Sequence, residues 1–219
     1  MNAMVRWLLV LALLLPGVAA ATAQEGDRIR LDGKEFWLQT EPLEEWIKAQ
    51  GWRPPEAAMI SSSNWRGYIA EWTVEEGQLV LVDAWIRVRG RSEEFSMQQQ
   101  SIREDLFPAM PRVVADWYSG AILIPDGELV DYVHLGYGST FDHYQLLIVE
   151  HGRVVEYLSL DRAAFEAYRE ERFAAFSRSA AFAEVWTRFG DQDWTDEEKL
   201  DFIRAFYAEQ YLSYREENP

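Results

Sequence analysis

Short runs in which apolar and polar residues alternate fill the first two-thirds of the chain. One face of the run 68–74 carries Tyr68, Ala70, Trp72 and Val74, as expected for a half-buried β-strand. Four X-Gly pairs lie between such runs: Asp32-Gly33, Glu76-Gly77, Asp126-Gly127 and His151-Gly152. Because tight hairpin turns need positive φ at their central residues, these pairs predict four β-hairpins.

Two helical patterns interrupt the predicted strands. Pro42–Gln50 predicts a short helix, because Pro is accepted in a first helical turn and Gly51 follows the last turn. Gln98–Phe107 is a second candidate, ended by Pro108.

The C-terminal part of the chain is predicted to be helical. Asp161 can cap a first helix, and Thr195 followed by Glu198 forms a capping box for a later one. Apolar side chains then recur at helical spacing: Leu200, Ile203, Tyr207, Tyr211 and Tyr214. Such a stripe either packs into the protein's own core or grips a partner helix, and we expect the core.

These elements predict an α+β fold in which antiparallel β-hairpins form a sandwich or a partly closed barrel, with a C-terminal helical segment packed on it. Residues 24–160 are the hairpin-rich β domain with one or two short helices. Residues 161–219 are the helical segment of the same domain.

The first 23 residues have the pattern of a secretory signal peptide. Met1–Arg6 is short and carries one positive side chain, Trp7–Leu15 is continuously apolar, and Ala21-Thr22-Ala23 matches a cleavage site before Gln24. Nine apolar residues are too few to span a bilayer of ~30 Å, although an uncleaved signal anchor is an alternative. We therefore expect a periplasmic or secreted protein without a stable membrane anchor after cleavage.

Composition narrows the range of partners. The 219 residues include 21 Lys and Arg against 37 Asp and Glu, which gives a formal net charge of −16. Such a chain repels phosphate backbones, so nucleic acid is not expected as a partner, whereas a basic protein or a small ligand is compatible. The absence of Cys excludes disulfides, thiolate metal sites and a cysteine nucleophile.

The densest polar segment is 132–144, which contains His134 and His143; the remaining histidine is His151. Gly136 and Gly138 flank Tyr137, so the backbone there can take unusual conformations or approach a ligand closely.

Three interpretations of this segment compete. A metal site would use the three histidines with Asp131 or Asp142, but their spacing does not suit a compact site, and we expect no metal and no cofactor. A nucleophile set would combine Ser139, His134 and Asp142, although no G-x-S-x-G elbow surrounds Ser139. In the third interpretation, the glycines and His134 shape a surface for a ligand or partner, or satisfy local hydrogen bonds.

A second polar cluster contains Trp65 and Arg66. In an acidic chain, Arg66 could bind a carboxylate or phosphate of a ligand, or pair with one of the many acids of the protein itself. Aromatic residues on the predicted strands could present a platform for sugars, although their alternation fits core packing better: Trp65, Trp72, Trp85, Trp117 and Tyr118.

Four strings together resemble a family of uncharacterised bacterial proteins. They are Trp65-Arg66-Gly67-Tyr68, Leu106-Phe107-Pro108, Trp117-Tyr118-Ser119-Gly120 and Tyr132-Val133-His134-Leu135-Gly136-Tyr137-Gly138-Ser139. The resemblance covers roughly residues 60–160 and implies no activity. It points to His134, Tyr137 and Ser139 as residues to test.

The leading functional hypothesis is a non-enzymatic binding or interaction module, similar to an inhibitor or an immunity protein. Its candidate binding residues are His134, Gly136, Tyr137, Gly138, Ser139, Asp142, Trp65 and Arg66. One alternative is a hydrolase that uses His134 with Ser139 or nearby carboxylates. Another is a carbohydrate-binding module that uses exposed Trp side chains.

Overall fold

A computed structural model describes residues 24–90, 96–132, 137–190 and 194–216. The predicted signal peptide, His134 and Gly136 therefore lie outside the described residues. The fold is α+β, as predicted, with helices following the strands in the C-terminal part. No helix within the described ranges is long and apolar enough to cross a membrane.

The strands of the described residues are β1 (Arg28–Leu31), β2 (Lys34–Trp37), β3 (Ile69–Glu75), β4 (Gln78–Arg89), β5 (Met97–Ser101), β6 (Val113–Val114), β7 (Gly120–Pro125), β8 (Leu129–Asp131), β9 (Thr140–Phe141), β10 (His143–Glu150) and β11 (Arg153–Asp161). Nine of them form one mixed, mostly antiparallel sheet in the order β2-β1-β3-β4-β11-β10-β7, with β5 and β6 also paired to β4. The pairing of β1 with β3 is parallel. The remaining two strands, β8 and β9, form a small ladder. The described strands do not close into a barrel, so the sandwich is the predicted arrangement that agrees with the sheet.

Three of the four predicted hairpins are confirmed. Asp32-Gly33 joins β1 to β2, Glu76-Gly77 joins β3 to β4, and His151-Gly152 joins β10 to β11. Both residues of each pair have positive φ, as tight primed turns require.

The prediction of a hairpin at Asp126-Gly127 is wrong. Here β7 pairs with β10 and β8 pairs with β9, so the chain continues past its partner instead of turning back. The Asp142 carboxylate, from the partner segment, accepts the N–H of Glu128 at 2.8 Å. The backbone is therefore kinked at Asp126-Gly127, and Asp142, 14 positions after Glu128, holds the kink.

The helices begin and end at the predicted capping residues where the sequence contains such residues. Their bounds are α1 (Glu44–Gln50), α2 (Arg103–Leu106), α3 (Arg162–Phe176), α4 (Ala180–Arg188), α5 (Asp196–Phe206) and α6 (Ala208–Ser213). Gly51 ends α1 in the left-handed conformation, Asp161 caps α3, and Thr195 with Glu198 forms the predicted capping box of α5. The helix predicted over 98–107 is largely wrong, because its first part pairs with β4 as β5.

Two apolar cores lie on opposite faces of β7 and β10. Ile122 and Leu147 belong to the first core, which also packs against α1. Leu123 and Leu146 belong to the second, which the C-terminal helices cover. Both strands are thus buried on both sides, as their continuous apolar runs require. Ile203 and Tyr211 of the predicted helical stripe are buried in the second core, which confirms the core interpretation of that stripe.

Candidate functional site

Arg66 forms a buried ion pair inside the first core. Its side chain is 1% exposed, and Nη1 donates to Asp27 Oδ1 at 2.9 Å. A turn directs Arg66 inward: Asn64 Oδ1 accepts the N–H of Gly67, which has φ +78°. Arg66 is therefore held by the protein itself, which is the ion-pair alternative of the sequence analysis.

Asp27 is saturated by donors from three sources. Besides Arg66, the carboxylate accepts the backbone N–H of Ala70 and the indole Nε1–H of Trp72, both at 3.1 Å. A buried carboxylate of this kind is stable only because each oxygen is hydrogen-bonded.

Glu41 extends this arrangement to the glycine-flanked segment. Its Oε1 lies 3.4 Å from Arg66 Nε and accepts the hydroxyl of Tyr137 at 3.0 Å. Burial raises the pKa of Glu41, and the charge of Arg66 opposes that rise. We refer to Asp27, Arg66, Glu41 and Tyr137 as the Asp27 network.

The segment 137–139 is fastened to the sheet by one side chain. The Gln39 amide donates to the carbonyls of Tyr137 and Ser139 at 3.2 and 3.1 Å. Because the Tyr137 hydroxyl is bound to Glu41 as well, this part of the predicted loop has a defined position. The structure thus brings Tyr137, Gly138 and Ser139 next to the end of β2.

Beside this segment lies a cavity of about 440 Å³, which we call the aromatic pocket. Its apolar wall consists of Trp37, Leu38, Pro125, Leu129, Tyr132 and Phe141, and its other lining residues are Gln24, Glu25, Gly26, Gln39, Tyr137 and Ser139. The pocket lies between the end of β2, residues 24–26 and the β8–β9 ladder.

Large apolar side chains around the pocket are exposed to solvent. Trp37 is 46% exposed, Leu129 51% and Tyr132 55%. The Arg28 guanidinium stacks over the Trp37 ring at 4.5 Å and orients it. Three large side chains at one concave surface are more than the single exposed residues that any protein surface carries.

Several polar groups that line the aromatic pocket form ion pairs or hydrogen bonds within the protein. Glu25 pairs with Arg87, and the Gln24 amide donates to the carbonyl of Ser62. Burial raises the pKa of Tyr137 well above its ordinary value, so its hydroxyl stays protonated and bound to Glu41.

Asp142, His143 and His151 each have a different local environment. Asp142 holds the kink at Glu128. His143 Nε2 lies 2.8 Å from Ser159 Oγ, whereas His151 is at the β10–β11 turn. The two histidines are eight positions apart, which is about 26 Å along a strand, so they cannot share one metal ion. Within the described ranges, no group of three His, Cys, Asp or Glu side chains could hold a metal.

The aromatic residues considered as a sugar platform occupy different environments. Trp72, Trp85 and Tyr118 are buried, and Trp117 packs against the first core beside Phe107 and Trp46. Of the five candidates, Trp65 is exposed, at 55%. These residues therefore do not form a row on the surface.

Sequence reasoning singled out Tyr137 and Ser139 but missed the apolar residues that form the wall of the aromatic pocket. A signal was present at Trp37: in the run 34–38, Phe36 and Leu38 face the core, while Trp37 shares the other face with Glu35. A large aromatic residue on the charged face of a strand could have been singled out. Leu129 and Tyr132 carried no comparable signal.

No protein-family model, curated protein or solved structure matches this chain.

Proposed function

We propose that this protein is a non-enzymatic binding protein that holds the flat apolar part of a small molecule in the aromatic pocket. The observation that carries this proposal is the group of exposed Trp37, Leu129 and Tyr132 side chains around one concavity.

The size of the pocket supports a small ligand. About 440 Å³ lies within the range of small-molecule sites, which is roughly 300–1,000 Å³. A ring stacked on Trp37 would remove apolar surface from water on both partners. Since Arg28 already orients the indole, little side-chain freedom is lost on binding.

The state of the polar lining supports binding over hydrolysis. Glu25 is paired with Arg87, and the Gln39 amide is bound to two carbonyls of the 137–139 segment. A general base must reach the proton that it removes, and a carboxylate already bound to arginine is poorly suited to that task.

Binding of a neutral apolar probe, N-phenyl-1-naphthylamine, tests the proposal by fluorescence titration. We expect saturable binding that Trp37→Ala weakens by about threefold to tenfold, because an aromatic pair contributes about 0.5–1.5 kcal/mol beyond its area. The matched control is Trp65→Ala, which removes an equally exposed indole outside the pocket.

The proposal fails if the probe does not bind saturably, or if both Trp variants weaken binding equally. A circular dichroism melt of each variant separates loss of the pocket from loss of the fold.

Within this proposal, residues 1–23 direct export to the periplasm or the medium, as their sequence pattern suggests. N-terminal sequencing of the exported protein should give Gln24 first. A chain that retains Met1 in the membrane fraction would contradict export with cleavage.

A further inference from the structure

A second cavity, of about 350 Å³, lies between the second core and the segment 137–140. Gln39, Tyr137 and Ser139 line both this cavity and the aromatic pocket. Its remaining wall comes from β7, β10 and the helices α3, α5 and α6. We call it the arginine pocket, because Arg169 and Arg204 both line it.

The two arginines differ in what they bind. Arg204 Nη1 donates to Glu170 at 2.9 Å, and its guanidinium stacks over Phe173 at 4.4 Å. Arg169 is half-buried on α3, and its side chain forms no ion pair or hydrogen bond within the described part of the chain. Arg53 and Arg188 also have no carboxylate partner among the described residues, but both are exposed, whereas Arg169 is half-buried and lines this cavity.

Tyr144 and Tyr211 line the same pocket as Arg169, and the charge of Arg169 acts on both hydroxyls. Burial raises the pKa of Tyr211 to about 12, and the charge of Arg169 is the largest influence that opposes this rise. The same charge opposes the rise in the pKa of Tyr144. Both hydroxyls already have partners: Tyr211 donates to the carbonyl of Arg204, and Tyr144 accepts the N–H of Phe141. Neither tyrosine can neutralise the guanidinium, because both remain uncharged.

The rest of the wall determines what kind of anion fits. Leu123, Phe165 and Leu212 supply apolar surface, and Asp201 is the acidic residue among the lining side chains. Glu170 already pairs with Arg204, and the exposed Asp201 forms no ion pair with either arginine in the described part of the chain, so the guanidinium of Arg169 remains for one negative charge on a ligand. A guanidinium presents its N–H groups as a fork that matches a carboxylate with two parallel hydrogen bonds.

We propose that the arginine pocket binds a small monocarboxylate with an apolar body, and that Arg169 binds the carboxylate. A doubly charged phosphate fits less well, because Asp201 and the net charge of −16 repel it. This site is separate from the proposed function, which concerns the aromatic pocket and a neutral apolar group.

Isothermal titration calorimetry with benzoate and octanoate tests this site in the full mature chain. Benzamide serves as the uncharged partner of benzoate, and inorganic phosphate as the competing anion. We expect Arg169→Gln to weaken carboxylate binding at least tenfold. The matched control is Arg178→Gln, which removes an exposed arginine just after the C-terminal end of α3 and should leave binding unchanged. Trp37→Ala should also leave benzoate binding unchanged.

Four results would overturn the proposal. They are no saturable heat with either carboxylate at about 10 mM, equal binding of benzamide and benzoate, phosphate binding as tight as benzoate binding, and full affinity in Arg169→Gln. A melt of each variant establishes that it is folded before titration.

Discussion

Arg66 and Arg169 carry the same charge in opposite surroundings. Arg66 is buried and donates to Asp27, to the carbonyl of Glu25 and toward Glu41. Arg169 is half-buried in a pocket lined by tyrosines and apolar side chains, with no carboxylate paired to it in the described part of the chain. Arg66, which the polar sequence cluster suggested as a ligand-binding residue, therefore has a structural role. The guanidinium that a ligand can reach is that of Arg169 on α3.

Electrostatics explain why Arg66 is unsuited to a ligand. Burial by itself lowers the pKa of Arg66, but attraction to Asp27 and Glu41 outweighs this and holds the pKa above its ordinary value. A ligand carboxylate would have to displace Asp27, which also receives hydrogen bonds from Ala70 and Trp72.

The largest expected effect comes from breaking the partnership of Arg66. Asp27→Ala removes the carboxylate that accepts from Arg66 Nη1 and from the indole N–H of Trp72, and both donors are buried. We expect the free energy of unfolding to fall by about 3–5 kcal/mol, the usual cost of removing one partner of a buried ion pair. Urea denaturation measures this loss.

The control for Asp27→Ala is Glu216→Ala, which breaks the exposed pair of Arg178 and Glu216. Exposed pairs of this kind contribute about 0–1 kcal/mol. Equal losses in the two variants would mean that the Asp27 network does not stabilise the fold as its burial suggests.

Local chemistry explains which parts of this fold were predictable. The turn at Asp32-Gly33 and the capping box at Thr195 and Glu198 each depend on residues within four positions, and both are confirmed. The kink at Asp126-Gly127 depends on Asp142, and β5 depends on pairing with β4. Those two partners are distant in sequence, so a local pattern could not reveal them.

The two pockets were hidden for the same reason. Trp37 and Tyr132 meet at one concavity although they are far apart along the chain. Arg169 has an ordinary position in a helical pattern that contains several charged residues, and its lack of a partner is visible only once α5 and α6 are in place. Tyr137 and Ser139 were singled out from the sequence, and they line both pockets.

Glu209 is an acidic counterpart to Arg169, because it is a half-buried carboxylate that has no arginine partner among the described residues. Burial raises its pKa to about 7, and the neighbouring charge of Glu41 adds to the rise. Its Oε1 accepts the N–H of Glu41 at 2.6 Å, while Oε2 lies 3.4 Å from the Tyr118 hydroxyl, which donates to Ala121. A protonated Glu209 can donate to that tyrosine oxygen.

The sign of the pH dependence follows from the raised pKa. The folded protein binds this proton more tightly than the unfolded chain, whose ordinary value is 4.5. The resulting stabilisation is complete below about pH 4.5 and is lost as the pH rises to about 7; its full size is about 3 kcal/mol. Glu209→Gln mimics the protonated form, so it should raise the free energy of unfolding near pH 8 by up to this amount and flatten its decline between pH 5 and 7.

Urea denaturation across this pH range measures the effect of Glu209→Gln. The control is Glu184→Gln, which changes an exposed carboxylate of α4 and should leave the pH profile nearly as it is. A Glu209→Gln profile that stays parallel to the parent profile would show that Glu209 does not titrate in this window.

The smallest expected effect on stability is that of Arg169→Gln. Since no carboxylate in the described part of the chain is paired with this guanidinium, its removal leaves no buried acid unpaired, and the free energy of unfolding should change by about 0.5 kcal/mol or less. Benzoate at about ten times its Kd should stabilise the parent protein by about 1.4 kcal/mol and the variant much less, because a ligand stabilises only the folded state that binds it. A loss above about 2 kcal/mol without ligand would place Arg169 in the same structural role as Arg66.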